Sequence, residues 1–207
     1  MIVIIDYGMG NVGSILNMLK KIGVDAKISH NSKDIEAAEK LILPGVGAFN
    51  HGVDKLNEYK LVPLLNNKVL KEKCPILGIC LGMQLLTKYS EEGDKKGLGW
   101  VNAITKKFSF DSIKQPKLKV PHMGWNDIQV KPTERLFENL INESRFYFVH
   151  SYFVECQEEG LEIASTFYGR KFTSAFRSHN IIGTQFHPEK SHKFGMTLMK
   201  NFAEMDT

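Results

Sequence analysis

The chain has 207 residues, of which 43% are hydrophobic and 24% are charged, with a formal net charge of +4. This composition excludes a disordered chain, the lack of any apolar run near about 20 residues excludes a membrane-spanning one, and the lysines interleaved with glutamates exclude a basic nucleic-acid-binding stripe. Three cysteines without paired spacing, and an opening segment without the basic region of a secretory signal, predict reduced thiols, no metal site and a cytoplasmic location.

The first half of the chain alternates short apolar runs with amphipathic segments. The runs at 2–6, 40–43 and 75–79 each end at a glycine, a proline or a loop signal, as buried parallel strands do. Helical spacing of apolar residues covers the segments 12–23 and 53–73. Strands that alternate with helices predict a parallel sheet covered on both faces.

The second half has a different pattern. From about Trp100 to Phe186, short apolar runs such as RFYFVHSYFVEC and NIIGTQF are typical of antiparallel strands and hairpins. A last helix is predicted from about Ser191 to Glu204. Because no repeat or linker marks a boundary, we expect a single α/β domain over 1–207, with a central, mostly parallel sheet, helices on both faces and an antiparallel extension.

Cys80 stands between two glycines in GICLG, directly after the predicted strand 75–79 and before the helical segment LGMQLLTKY. G-x-C-x-G is the thiol counterpart of the G-x-S-x-G nucleophile elbow, in which a Cβ at either glycine would clash across a sharp turn. A thiol at a helix start also meets the positive end of the helix dipole, which favours the thiolate. The pattern predicts that Cys80 is a nucleophile; the alternative is a cysteine that only packs in the core.

A cysteine nucleophile needs a base and a group that orients the base. His187, in GTQFHPEKS, follows an apolar run that would end at the same sheet edge as Cys80. Glu189 is close enough in sequence to hold its Nδ1 atom. We therefore predict that His187 is the base and Glu189 its orienting partner. Four further histidines are interpreted as ordinary loop or core residues: His30, His51, His179 and His192.

The segment LPGVGAF, residues 43–49, follows the predicted strand 40–43. Glycines on both sides of Val46, the second being Gly47, allow the backbone to turn an N–H group toward a ligand. Together with the amide of Leu81, such a donor would form an oxyanion hole. The alternative for this segment is an ordinary turn.

In this order, the three motifs resemble those of the class I, triad-type glutamine amidotransferases, a flavodoxin-like α/β family. The segments DYGMGNV, GLGW, VPHMGWN and FYFVHSY are further similar to the glutaminase subunits of imidazole glycerol phosphate synthases, along nearly the whole chain. The resemblance implies that Cys80 attacks the side-chain amide of glutamine, that His187 shuttles protons and that Glu189 orients His187, without a cofactor. A thioester then forms, ammonia leaves, and water releases glutamate.

The resemblance also implies how glutamine and a partner would be bound. The positions that match the glutamine-holding residues of the family are Gln84, Glu92, His150, Ser151 and Tyr152, and Glu92 has the charge expected for an α-ammonium group. The implied partner is a (β/α)₈-barrel cyclase of histidine biosynthesis, which receives ammonia through a channel. The positions that match the face toward it are Asn11, Met123, Trp125, Tyr147 and Lys190.

One departure from the family pattern leaves the partner open. After GMGN the family commonly has a leucine and then an arginine, whereas Asn11 is followed here by Val12 and Gly13. A glutaminase that supplies a sugar-amidating enzyme of surface-polysaccharide or glycan biosynthesis is therefore an alternative. Two further classes are a non-catalytic scaffold subunit, which the intact triad weighs against, and a cysteine peptidase, which the glutamine-holding positions weigh against.

Overall fold

The computed structural model describes residues 1–110, 118–132, 134–140 and 144–205. Its strands are β1 (Ile2–Ile5), β2 (Ala26–Ser29), β3 (Lys40–Leu43), β4 (Ile76–Ile79), β5 (Ala103–Lys107), β6 (His122–Asp127), β7 (Gln129–Val130), β8 (Arg145–His150), β9 (Tyr152–Cys156), β10 (Glu162–Tyr168), β11 (Arg170–Ser178) and β12 (Ile181–Thr184). Its α-helices are α1 (Val12–Lys21), α2 (Ser32–Glu36), α3 (Phe49–Glu58), α4 (Leu61–Leu65), α5 (Leu81–Leu85) and α6 (His192–Glu204). A π-helical stretch, Asn66–Lys71, continues α4, and short 3-10 helices span Arg135–Phe137 and Pro188–Lys190.

The centre of the main sheet is parallel, in the order β2-β1-β3-β4-β12. Strands β1, β4 and β12 are buried along their whole length, as their continuous apolar sequences predict. The sheet continues from β12 through β11, β10 and β7, which pair antiparallel, and β9 joins β5 to β11. This arrangement confirms the predicted parallel sheet with an antiparallel extension.

Helices cover both faces of the sheet because the side chains of each strand alternate between them. Ile4 of β1 packs in one core with Ile15 of α1 and Phe202 of α6. The next residue, Ile5, packs in a second core with Leu56 of α3. The prediction of helices on both faces is confirmed. Within the described ranges, no helix is long and apolar enough to cross a membrane.

One predicted helical segment is interrupted in the structure, and another ends earlier than predicted. The segment predicted over 53–73 begins earlier, at Phe49, and breaks after Glu58, because Lys60 has a left-handed backbone (φ 57°). The helix after Cys80 ends at Leu85 instead of continuing toward residue 89. The helix ends there because the carbonyl groups of Leu85 and Leu86 accept hydrogen bonds from the GLGW segment instead of from a further helical turn. The donors are the N–H groups of Leu98 and Trp100, at 2.8 and 3.0 Å.

The run RFYFVHSYFVEC divides between two sheets. Its first half is β8, which pairs with β6 in a separate two-stranded ribbon, while its second half is β9 of the main sheet. The run NIIGTQF supplies β12, which is antiparallel to β11 as predicted but also parallel to β4. β12 therefore joins the parallel and antiparallel parts of the sheet.

The carboxyl ends of β3, β4 and β12 meet at one sheet edge, since the three strands are parallel neighbours. Close backbone packing there requires glycine. A Cβ built on Gly82 would lie 1.8 Å from the carbonyl oxygen of Leu43, and one on Gly78 would lie 2.9 Å from the backbone of Gly82. A Cβ at either glycine of the elbow would therefore clash, as the sequence motif predicts.

We predict that Gly82→Ala lowers the free energy of unfolding by about 3 kcal/mol or more, because the added methyl group meets backbone atoms that cannot move aside. Urea denaturation followed by circular dichroism measures this change. Gly13→Ala is the matched control. Gly13 is exposed on α1, and a Cβ there has no neighbour within 4 Å, so it should be neutral or stabilising by up to about 1 kcal/mol. Equal stability of the two variants would contradict the packing argument.

Candidate active site

Cys80 lies on a sharp turn between β4 and α5. Its backbone has φ 54° and ψ −108°, a conformation that L-residues adopt only under constraint. The Cys80 N–H group donates to the carbonyl oxygen of Thr184 at 2.8 Å, which holds the turn against the end of β12. The thiol is buried, and its sulfur lies 3.9 Å from the carbonyl oxygen of Val149.

His187 and Glu189 form a buried pair beyond the end of β12. The Nδ1 atom of His187 lies 2.7 Å from Oε1 of Glu189, and the two side chains are only 1% and 2% exposed. Because an ionised carboxylate only accepts hydrogen bonds, Nδ1 carries the hydrogen and Nε2 is left for proton transfer. Within the described parts of the chain, Nε2 is buried without a hydrogen-bond partner.

The electrostatics of this pair favour a charged imidazole. Burial lowers the pKa of His187, but interaction with the negative charges of Cys80 and Glu189 raises it by more, so that the net shift is upward. No hydrogen bond of ordinary geometry joins Nε2 of His187 to the sulfur of Cys80. Cys80 therefore raises the pKa of His187 through the attraction between their charges. The neighbouring negative charges therefore favour the protonated form of His187.

The backbone of His187 is fixed by the neighbouring ribbon. Its N–H group donates to the carbonyl oxygen of Tyr147 at 2.9 Å. Ser191 bridges the two residues, since its hydroxyl group donates to the carbonyl oxygen of His187 at 2.7 Å and accepts from the N–H group of Tyr147 at 3.0 Å. β8 thus positions the base.

The two predicted oxyanion donors do not converge. The N–H group of Leu81 donates to the carbonyl oxygen of Gly45 at 3.3 Å. Because the peptide between Gly45 and Val46 is trans, the N–H group of Val46 points in the opposite direction. Gly47 follows with φ 121°, a left-handed value that favours glycine. A rotation of the 45–46 peptide would free one donor and turn the other inward.

Tyr7 holds the start of this turn. Its hydroxyl group donates to the carbonyl oxygen of Pro44 at 2.6 Å. Burial, followed by the negative charge of Cys80, raises the pKa of Tyr7 far above its ordinary value, so the hydroxyl group remains a neutral donor. The Pro44 carbonyl is therefore fixed independently of the next peptide.

A pocket of about 240 Å³ opens beside Cys80. The predicted oxyanion and glutamine-holding residues line it together with Pro121 and Val149: Val46, Gly47, Leu81, Gln84, Glu92, His150, Ser151 and Tyr152. Glu92 is anchored by the N–H group of Phe49, which donates to its Oε2 atom at 2.9 Å. In the described residues, no cluster of three metal-ligating side chains is present.

The model of the family described as "Glutamine amidotransferase class-I" matches residues 3–205. A relative from Methanococcus maripaludis, "Imidazole glycerol phosphate synthase subunit HisH 2", is 57% identical over 202 residues, 98% of each chain. One from Pseudomonas aeruginosa with the same name is 48% identical over 205 residues, 99% of this chain and 100% of the relative. A crystal structure titled as a glutamine amidotransferase has a TM-score of 0.75 at 20% identity, covering 98% of this chain and 97% of its own. The chain belongs to the class I glutamine amidotransferases.

The amidotransferase carries an exposed aromatic patch beside His187, which we define as Met123, Trp125, Tyr147 and Lys190. Met123 and Trp125 are 61% and 45% exposed. The ring of Tyr147 lies 6.1 Å from that of Trp125 and 5.6 Å below the Nζ atom of Lys190. Four of the five predicted partner positions therefore lie together.

Asn11, the fifth position, is placed differently. It is exposed at the start of α1, where its side chain accepts a hydrogen bond from the N–H group of Ser14 at 3.2 Å. Helix α1 contacts the Pro188–Lys190 turn. The preceding Gly10 lies against the turn at Pro44 and Gly45, where a Cβ would come within 3.0 Å of both.

Sequence reasoning missed His122 and Gln185 in this amidotransferase site, gave His192 no role in it, and named His150 only as a position that holds glutamine. His192, interpreted as ordinary, is exposed and stacks on Trp125 with ring centroids 5.3 Å apart. His122 and His150 form a buried pair with Nδ1 and Nε2 atoms 3.0 Å apart. Burial lowers the pKa of His122 to about 4 and that of His150 to about 3, so both rings are neutral. Gln185 lies against the sulfur of Cys80, with its Nε2 atom 3.7 Å away.

We predict that a glutamine analogue with an electrophilic carbon in place of its amide labels Cys80 alone. Burial raises the pKa of Cys74 and Cys156 to about 11 each, so neither forms much thiolate near neutral pH. Peptide mass spectrometry identifies the labelled thiol. Cys80→Ala should fold yet lose glutaminase activity by about 10⁴ or more. Labelling that follows Cys74 would overturn the assignment of the nucleophile.

We predict that His187→Ala loses nearly as much activity as Cys80→Ala, and that Glu189→Gln loses less, because the neutral amide still holds Nδ1. Triad members act as a unit, so the double variant Cys80→Ala/His187→Ala should be scarcely slower than either single variant. Rates of glutamate release measure these differences. Losses that add cleanly in the logarithm of the rate would show that the two residues act separately.

Proposed function

We propose that this chain is the glutaminase subunit of an imidazole glycerol phosphate synthase, which hydrolyses glutamine and delivers ammonia to a (β/α)₈-barrel cyclase subunit in histidine biosynthesis. The observation that carries the proposal is a buried Cys80, His187 and Glu189 group beside a pocket of about 240 Å³. Relatives that bear this subunit's name, 57% and 48% identical over nearly the whole length of both chains, support it. We expect the protein to act in the cytoplasm.

The chemistry follows from the order of the groups. The Cys80 thiolate attacks the side-chain amide carbon of glutamine, and the carbonyl oxygen becomes an oxyanion. The Nε2 atom of His187 gives its proton to the amide nitrogen, the C–N bond breaks and ammonia leaves a glutamyl thioester. His187 then takes a proton from water, which attacks the thioester and releases glutamate and the thiolate.

The pocket has groups suited to the two ends of a free amino acid. Glu92 is a partly buried carboxylate that accepts a hydrogen bond from the backbone N–H group of Phe49. It is therefore well placed to accept an α-ammonium group as well. We infer from the family resemblance that the backbone at Ser151 and Tyr152, two residues that line the pocket, binds the α-carboxylate. Holding both ends aims the amide at the sulfur, which is how positioning lowers the barrier.

Activity in this proposal depends on the turn after β3. The hydrogen bond between Leu81 and Gly45 is long, at 3.3 Å, and therefore weak. Reorientation of the 45–46 peptide would exchange this bond for two donors that face an oxyanion. A partner that binds the reoriented state more tightly would shift the population toward it.

The exposed patch of Met123, Trp125, Tyr147 and Lys190 is the surface we assign to the cyclase. Its aromatic rings are large, rigid and partly exposed, as interface anchors are. The backbone of Tyr147 holds His187, so a partner on this patch lies next to the place where ammonia forms. Direct transfer matters because ammonia released into neutral water becomes ammonium, which is a poor nucleophile.

A glutaminase for a sugar-amidating enzyme was the alternative left open by Val12 and Gly13. The relatives named above carry the imidazole glycerol phosphate synthase name, and they lend that alternative no support. Gly13 itself is exposed, with no atom near its missing Cβ. We therefore keep the cyclase as the proposed partner and let an experiment decide.

We predict that the chain alone releases glutamate slowly, and that a barrel cyclase with its bound nucleotide substrate raises the rate by roughly 10²–10³. That factor is the usual cost of one missing oxyanion donor, about 2.7–4 kcal/mol. Coupled measurement of glutamate gives both rates. Full activity of the isolated chain would contradict the peptide switch, and activation only by a sugar-amidating enzyme would reassign the pathway.

Trp125→Ala tests the surface assigned to the partner. It should remove most of the stimulation, because it deletes the central ring of the patch. Tyr89→Ala is the matched control, since Tyr89 is 46% exposed, almost the same as Trp125 at 45%, and lies outside the patch. Equal loss of stimulation in both variants would argue against docking at this surface.

A further inference from the structure

Gln185 is a buried amide that neither the triad nor the pocket uses. It follows β12 directly, it is fully buried, and it does not line the pocket. Its backbone N–H group donates to the carbonyl oxygen of Ser174 at 2.9 Å, which fixes its main chain to β11. Its side chain extends to the nucleophile, with Nε2 at 3.7 Å from the sulfur of Cys80.

The orientation of this amide is determined by its neighbours. The carbonyl oxygen of Tyr152 can only accept, so the Gln84 group that faces it at 3.2 Å must be the Nε2 amine. The same amine donates to Oε1 of Gln185 at 3.2 Å. The remaining end of the Gln185 amide, its Nε2 amine, therefore faces Cys80.

The carbonyl oxygen of Tyr152, which orients Gln84 and through it Gln185, is itself held in place. The carbonyl oxygen of Tyr152 also accepts from Nδ1 of His150 at 2.7 Å. Since His150 donates at Nδ1 and is neutral, its Nε2 atom accepts from Nδ1 of His122. Two donors on one carbonyl oxygen leave Gln84, and through it Gln185, little freedom to turn.

An N–H group aimed at sulfur favours the thiolate over the thiol, because only the charged form is a strong acceptor. The thiol would instead donate toward the carbonyl oxygen of Val149, 3.9 Å away. Because Gln185 is fully buried, water cannot readily replace its contact with the sulfur. Two ionisable groups also interact with the sulfur in the described part of the chain. Tyr7 does so from the end of β1, and His187, which is paired with Glu189, does so from the end of β12.

We propose that Gln185 is a positioning residue for the nucleophile, which holds the Cys80 thiolate through its side-chain N–H group and is oriented by Gln84. The proposal rests on the glutaminase function proposed above. It adds an N–H donor to the sulfur from the same strand end as His187. It also gives Gln84 a supporting role besides contact with substrate.

The test is the pH dependence of Cys80 alkylation by iodoacetamide, measured by peptide mass spectrometry without glutamine. Gln185→Met keeps the length of the side chain but removes the donor. We expect it to raise the pH of half-maximal alkylation by about one unit, since a hydrogen bond to a charged group is worth about 1.5 kcal/mol or more. In glutamine hydrolysis, kcat should fall about tenfold while KM stays within twofold, because Gln185 does not line the pocket.

Asn180→Leu is the matched control. Asn180 is a buried amide at the opposite end of β12, and its Nδ2 atom donates to the carbonyl oxygens of Val69 and Cys74 at 2.9 Å each. It should lose stability like Gln185→Met yet alkylate with the wild-type pH profile. Equal profiles for wild type and Gln185→Met, or equal shifts in both variants, would overturn the proposal.

A second variant covers the case in which Gln185→Met does not fold. Gln185→Glu keeps the side-chain length and an acceptor for Gln84, and it should raise the alkylation midpoint further because a carboxylate repels the thiolate. An unchanged midpoint would contradict the proposal. Alkylation needs neither glutamine nor a partner. If the two Gln185 variants show these shifts while the wild-type protein releases no glutamate even with the cyclase, the proposed function is refuted and the role of Gln185 stands.

Discussion

The carbonyl group of Leu43 rests on the α-carbon of Gly82, and the site depends on this contact. A Cβ at position 82 would lie 1.8 Å from that oxygen, so only glycine lets the end of β3 approach the elbow. The approach brings the carbonyl oxygen of Gly45 to 3.3 Å from the N–H group of Leu81. The turn after β3 is therefore packed as one unit with the turn that carries Cys80. Within this unit the 45–46 peptide is held by a weak hydrogen bond.

The ribbon of β6 and β8 connects the outer surface to the catalytic base. Along β8, Tyr147 presents its ring to the exposed patch, while its backbone holds the backbone of His187 through a hydrogen bond and through Ser191. His150, at the end of the same strand, anchors the carbonyl oxygen of Tyr152 in the pocket. One short strand thus contacts the exposed patch, His187 and the pocket beside Cys80, so a partner that docks on the patch, as we propose, would act directly on the position of His187.

Strands and motifs with local signatures could be predicted from the sequence. Continuous apolar runs predicted β1, β3 and β4, and the structure has Cys80 and His187 at one sheet edge as the strand pattern predicts. The break at Lys60 could not be predicted, because lysine gives no sign of a left-handed backbone. Nor could the contact of Gln185 with Cys80 or the pairing of His150 with His122, since these contacts join residues that are 105 and 28 positions apart in the sequence. The orientation of the 45–46 peptide is likewise hidden, because glycine permits both directions.

The order of strands in space differs from their order in the chain. β12 lies between β4 and β11 in the sheet, yet β4 ends about a hundred residues earlier in the sequence. A ribosome therefore delivers Cys80 long before the strand that pairs with β4 and before His187, which we propose as the base. Until then the nascent chain has an unpaired apolar β4 edge, which is an aggregation hazard that a chaperone or rapid collapse must shield. A chain that stops before β12 would hold Cys80 without His187, so we expect such a chain to hydrolyse no glutamine.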